Sequence, residues 1–145
     1  MRVYTCLIGD LFHPGHVNFL KQAKNEGSYL IVGVCSDEDC EKYKRKPIMN
    51  FTERLAIIES CRYVDEIIKS PSSIISQEFI DKYNIDLIVH GDDSNTEQLI
   101  HFYEVAIQQN KYKSISYTSG ISTSKIIERI RNRSQKSLTR KQFLC

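Results

Sequence analysis

A doubly wound α/β sheet is the fold class this chain predicts, and three observations predict it. Short apolar runs alternate with amphipathic stretches along the whole sequence. The central runs are rich in Ile and Val without polar alternation, as parallel strands covered on both faces require. The polar, glycine-containing segments follow the ends of the runs, the edge at which such sheets bind ligands.

In order, the first strand is expected over residues 3–8, followed by a loop and a helix over 15–26 that Gly27 is placed to end in a left-handed cap. A strand over 29–34 and a short helix over 37–43 come next, then a helix over 51–61 that Asn50 or Thr52 can cap. After a strand over 66–69, Ser70-Pro71-Ser72-Ser73 breaks the chain before a helix over 73–83. Strands over 87–90 and 114–117 alternate with helices over 96–109 and 122–131. No repeat, low-complexity stretch or linker interrupts this alternation. Residues 1–131 therefore read as one domain, and residues 132–145 as a basic tail expected to be flexible.

At 145 residues the chain can bury a single core without staples. Twenty Lys and Arg against 18 Asp and Glu give a net charge of +2, which argues against a dedicated nucleic-acid binder. No acid follows Glu128, whereas Arg129, Arg131, Arg133, Lys136, Arg140 and Lys141 do. That end reads as a solvated terminus complementing its helix dipole, with contact to phosphates or an anionic membrane surface as the alternative. The five cysteines are odd in number and none is spaced C-x-x-C, which points to reduced thiols rather than disulfides or zinc. No apolar stretch approaches the roughly 18 residues of a membrane span, and no charged-then-apolar leader opens the chain. A soluble cytoplasmic protein without integral membrane association is expected.

The chemistry concentrates in two segments. His13-Pro14-Gly15-His16 puts two imidazoles three residues apart on one face at the mouth of a strand-loop-helix unit, where amide N–H groups and the helix dipole favour an anion. Gly15 lets backbone approach phosphate closely. Near the other end, Gly120-Ile121-Ser122-Thr123-Ser124 joins hydroxyl donors to a second helix start, so its side chains can cap the helix and hold another part of the same polyphosphate. No G-x-G-x-x-G follows the first strand, which speaks against a dinucleotide-binding enzyme.

These segments, with Ile31-Val32-Gly33-Val34-Cys35-Ser36-Asp37-Glu38, Tyr43-Lys44, Arg62-Tyr63-Val64-Asp65-Glu66 and His90-Gly91-Asp92-Asp93, resemble the cytidylyltransferases that act on choline phosphate, ethanolamine phosphate and glycerol 3-phosphate. The resemblance implies a Rossmann-like sheet of the nucleotidyltransferase type. It also implies an enzyme that transfers CMP from CTP to a phosphomonoester, with phosphoethanolamine or phosphocholine favoured, releasing pyrophosphate and leaving a CDP-alcohol. A catalytically weak nucleotide-binding protein, or a related enzyme with another acceptor or donor, are the other readings.

The resemblance assigns catalysis to His13, His16 and Lys44, the lysine standing between the α-phosphate and the incoming acceptor. Nucleotide contacts fall to Ile8, Gly9, Asp10, Gly15, His90, Gly91, Asp92, Tyr117, Gly120, Ile121, Ser122, Thr123 and Ser124, and acceptor contacts to Asp10, Lys44 and Arg54. Asp10 orients a histidine or lies near Mg²⁺, which is expected to arrive with CTP rather than in a protein-built metal site. Locally, Arg54 could face solvent or a carboxylate, and Lys46 is a weaker candidate in a basic loop. Asp92 and Asp93 can reach a base, a sugar hydroxyl or magnesium through water, or simply cap the next helix. Arg62-Tyr63-Val64-Asp65-Glu66 implies a homodimer contact. Two positions depart from the pattern: Leu7-Ile8-Gly9-Asp10 lacks the usual hydroxyl and aromatic residue, and Tyr117 stands where the family has an arginine that clamps phosphate.

Overall fold

The computed structural model describes residues 1–92 and 95–134. Asp93 and the tail from residue 135 onward lie outside the described residues, and so do the readings made for them. Five strands, β1 (Arg2–Leu7), β2 (Tyr29–Val34), β3 (Glu66–Lys69), β4 (Leu87–Gly91) and β5 (Tyr112–Ile115), form one sheet in the order β3-β2-β1-β4-β5. All neighbours pair in parallel, with Tyr4 opposite Ile31 and Ile88, and Cys6 opposite Gly33. The helices are α1 (Pro14–Asn25), α2 (Asp37–Tyr43), α3 (Phe51–Glu59), α4 (Gln77–Tyr83), α5 (Thr96–Gln108) and α6 (Thr123–Ser134). This is the predicted Rossmann-like α/β fold.

Strand alternation divides the core into two layers. Val3, Leu30, Val32, Val34 and Val89 face Phe19, Leu20 and Ala23 of α1 and Ile58 of α3, while Tyr4, Ile31, Ile68 and Ile88 face Ile80 of α4 and Tyr103 and Ala106 of α5. Successive side chains point to opposite faces. Each fully buried aliphatic side chain contributes about 1.5–3 kcal/mol on this bookkeeping. Both faces are thereby covered, and the carboxyl edge of the sheet is the one left for polar loops. The strand order reverses between β1 and β4, so the loops after these two strands diverge and open a crevice.

Local signals account for most helix starts. Asn50 caps α3 in a reciprocal box with Glu53, and Ser36 and Ser76 cap α2 and α4. The fourth helix therefore begins at Gln77, not residue 73, because Ser76 takes the cap and Ser70 turns the chain at a φ of 49°. The fifth strand lies two residues earlier than predicted, where Ile88 and Val89 fix its register against Tyr112 and Lys113. Gly27 does not form a left-handed cap: α1 ends at Glu26 in right-handed geometry. A side chain on Gly27 would come within 2.5 Å of the Met1 carbonyl and 2.7 Å of Val3, so close approach is what requires the glycine there. The sixth helix runs to Ser134, beyond the domain boundary expected at 131.

Candidate active site

The carboxyl edge opens into a cleft of about 1050 Å³, room for a nucleotide and a second small ligand. The β1 loop, α1, Tyr43, Lys44, Arg45 and Pro47, the end of β4 and residues 117–125 line it.

His13 is the N-cap of α1 rather than a residue of its first turn, and His16 is at N3. The Gly15 amide donates to His13 Nδ1 at 3.0 Å, and the His13 amide donates to His16 Nδ1 at 3.1 Å. The pair thus builds a capping box out of two imidazoles. Because each Nδ1 accepts, the proton of each neutral ring sits on Nε2, which leaves Nε2–H as the donor for a ligand. The ring centres are 3.9 Å apart, and Phe12 stacks on His16. Burial lowers the His13 pKa, and burial together with the neighbouring His13 brings His16 to about 4, against the pull of Asp10. Both rings are neutral donors at pH 7 in the free chain. A Cβ at Gly15 would come within 2.7 Å of the His13 ring, so the glycine first makes room for that ring.

Asp10 is 6% exposed, and its carboxylate accepts from the amides of Ile48 and Met49, each at 2.9 Å. Its carbonyl accepts from Thr123 Oγ1 at 3.0 Å. Instead of orienting a histidine by a hydrogen bond, it ties the first loop to the stretch after the basic segment and to the start of α6. Gly9 has a φ of 69°, a left-handed conformation that favours glycine, and a Cβ there would also press within 2.6 Å of the tip of Ile58.

Arg54 is fully buried and does not line the cleft, so the acceptor contact expected of it is corrected. Its guanidinium donates to the carbonyls of Met49, Ile8 and Cys35 and to Asp37 Oδ1, at 2.7 to 3.1 Å. The carboxylate was the right local alternative. That bond holds the Asp37 pKa below the usual carboxylate range. Arg54 is therefore a positioning residue that joins the ends of β1 and β2 to the entry of α3. Lys44 caps α2 at its C-terminus and lines the cleft; Lys46 does not line it.

At the opposite wall, Asp92 is not in the lining: its Oδ1 accepts the Tyr117 amide at 3.0 Å and so sets the course of the chain leaving β5. His90 and Gly91 line the cleft, and a Cβ on Gly91 would collide with the Tyr117 ring. Gly120 turns at a φ of 87°, Ser122 accepts from the Lys125 amide as the cap of α6, and Asn18 of α1 donates to Thr118. Ser124 Oγ accepts from Arg45 at 3.4 Å. Arg45 and Lys125 also line the cleft, and sequence reasoning passed over both. The signal for Arg45 was present in the basic loop, where only its two lysine neighbours were weighed.

The segment expected at a dimer contact is engaged within the chain: Asp65 accepts from the Leu30 amide and pairs with Lys24, and Glu66 pairs with Arg2. Cys6 and Cys35 touch at 3.3 Å as free thiols. Among the described residues no helix is long and apolar enough to cross a membrane.

A crevice at the reversal of a parallel sheet, with two helix starts and two neutral imidazole donors facing it, is an arrangement suited to anions in an α/β protein. The chain belongs to the cytidylyltransferase-like family, whose sequence model matches residues 10–129. It is 39% identical over 137 residues to choline-phosphate cytidylyltransferase 2 of Arabidopsis thaliana, covering 90% of this chain and 44% of that protein. With the ethanolamine-phosphate cytidylyltransferase of Dictyostelium discoideum it shares 39% identity, over 83% of this chain and 35% of the relative. The chain thus spans less than half the length of these curated relatives. Among solved structures, a lipopolysaccharide core biosynthesis protein from Thermoplasma volcanium superposes with a TM-score of 0.63 at 26% identity, over 81% of this chain and 96% of that one. A pantothenate synthetase from Thermus thermophilus shares the fold, with a TM-score of 0.52 at 11% identity, over 88% of this chain and 64% of that one.

Proposed function

We propose that this chain transfers CMP from CTP to a phosphomonoester, phosphocholine or phosphoethanolamine, releasing pyrophosphate and leaving a CDP-alcohol. The observation that carries the reading is the two-imidazole box, which presents two Nε2–H donors beside a helix N-terminus in a cleft large enough for both substrates. The likeness to choline-phosphate and ethanolamine-phosphate cytidylyltransferases supports the choice of donor and acceptors.

In the reaction, an oxygen of the acceptor phosphate attacks the α-phosphorus of CTP. A new P–O–P bond forms as the bond to the β-phosphate bridging oxygen breaks, and pyrophosphate leaves with that electron pair. Most of the protein's contribution is positioning and stabilisation of charge. His13 and His16 donate to phosphoryl oxygens whose charge grows in the transition state, and their fixed rings need no reorganisation. Lys44 supplies a mobile charge toward the α-phosphate and the acceptor. The turn from Gly120 to Ser124 receives the terminal phosphates with hydroxyls and the first amides of α6.

Magnesium fits this site as a companion of the triphosphate. Among the described residues no three His, Cys, Asp or Glu side chains gather to hold a metal, and Asp10 is the carboxylate near the histidines, with lone pairs remaining beyond its two amide bonds. Bound there, the ion would neutralise phosphate charge. Association as a homodimer through the exposed Arg62 side of the 62–66 segment and a cytoplasmic location complete the reading.

The test is pyrophosphate release with Mg²⁺, each common nucleoside triphosphate and a panel of phosphocholine, phosphoethanolamine and glycerol 3-phosphate. Release that requires CTP and one of the first two acceptors is expected; release with ATP in place of CTP, or none with any pair, overturns the reading.

A further inference from the structure

Arg45 stands in the middle of an arch. Before it, the Lys44 amide donates to the Cys40 carbonyl at 2.9 Å at the end of α2. After it, the amides of Ile48 and Met49 are held by Asp10, and the Met49 carbonyl by Arg54. The backbone on either side is therefore fixed, and the side chain of Arg45 is carried out over the cleft. Its guanidinium ends at Ser124 Oγ, in the first turn of α6 and 79 residues away in sequence. Tyr117, which also lines the cleft, occupies the position of the family's phosphate-clamping arginine, with its ring turned onto Gly91 and toward Phe19.

We infer that Arg45 is the triphosphate-clamping arginine of this chain, delivered from the α2–α3 loop instead of from position 117. The inference rests on the proposed CTP site and adds a residue to it. A guanidinium and the first turn of a twelve-residue helix then approach one phosphate from two sides. The planar fork can give two parallel hydrogen bonds to it, which an ammonium cannot. Lys125 lines the same wall, but it projects from the helix itself and offers a point charge. Bridging from the loop, Arg45 also links the two walls of the cleft, so its contact with phosphate closes the site over the leaving group.

The test compares binding of CTP and of CMP, which lacks the β- and γ-phosphates, by titration of the parent chain, Arg45→Gln and Arg45→Lys. Arg45 is exposed and its Ser124 contact is long, so all three are expected to melt alike. Loss of a charge-assisted bond predicts that Arg45→Gln weakens CTP about 10- to 100-fold while CMP changes less than about twofold, with Arg45→Lys between. Inorganic tripolyphosphate should compete with CTP on the parent and correspondingly less well on Arg45→Gln. CTP affinity unchanged in Arg45→Gln, or CTP and CMP weakened alike, overturns the assignment of Arg45 while leaving the CTP site standing. A parent chain that binds no CTP overturns the proposed function, and this inference with it.

Discussion

Two helix starts face one cleft, and they are built in opposite ways. The start of α1 is closed on itself: His13 and His16 satisfy backbone amides within four residues, their rings touch, and both are neutral through burial. The start of α6 is open. Beside the local Ser122 cap, its Thr123 and Ser124 are held by partners far along the chain, Asp10 and Arg45, and Arg45 adds a charge from another stretch to that of Lys125 on the helix itself. The first wall holds its donors in place through local bonds; the second joins hydroxyls and a guanidinium contributed by separate stretches of the chain.

The contrast is most vulnerable at the foundation of the closed wall. Arg54→Ala removes the four bonds that hold Ile8, Cys35, Met49 and Asp37, leaving three carbonyls and a carboxylate without their donor. A loss of about 3–5 kcal/mol in denaturant unfolding is expected. A loss below about 1 kcal/mol would return Arg54 to a role in binding. Next in size, His16→Ala should lower kcat by about 10²- to 10³-fold with the fold retained, because one fixed donor to the growing phosphoryl charge is gone. Comparable turnover in that variant would remove the imidazoles from the mechanism.

Acid acts on the closed wall through His16. His16 has a lowered pKa of about 4 in the folded chain against about 6.5 unfolded, so between those values the unfolded chain binds more protons. Stability is full above about pH 6.5 and falls as pH drops through this window, and the lowered Asp37 adds a further loss at more acid pH. His16→Asn should flatten the upper part of the profile; thermal melts from about pH 7.5 to about 4.5 read it. An unchanged slope would mean that the ring is not held neutral. The smallest effect belongs to the open wall. With Arg45 already in place, Tyr117→Arg should shift CTP affinity by less than about threefold, whereas the same change in Arg45→Gln should recover a larger part of the loss. Equal effects in both backgrounds would show that the two positions act independently.

The same contrast explains what could be read in the sequence. The closed wall is local: a three-residue spacing, a proline at the helix start and an apolar run on either side name it. The serine and asparagine caps and the strands rich in Ile and Val are local in the same sense, which is why the order of elements followed from patterning. Where the register depends on a neighbour, as in the fifth strand against β4, the reading slipped by two residues. The burial of Arg54 was hidden because its partners come from three separate stretches, at Ile8, at Cys35 and Asp37, and at Met49. The reach of Arg45 to Ser124 was hidden because the basic loop gives no local sign of which cation crosses the cleft. Gly9 marked a departure from the family in sequence, and the left-handed turn of the loop, which sequence does not display, is what favours a glycine there.

The proposed chemistry meets its most direct test in a single-turnover reaction with CTP labelled at the α-phosphate, Mg²⁺ and phosphocholine or phosphoethanolamine, followed in the parent chain and in His16→Ala. Label is expected in the CDP-alcohol with the parent, and at a rate about 10²- to 10³-fold lower with the variant. Label recovered as CMP without any acceptor-linked product, or as the same product at the same rate in both proteins, would contradict it.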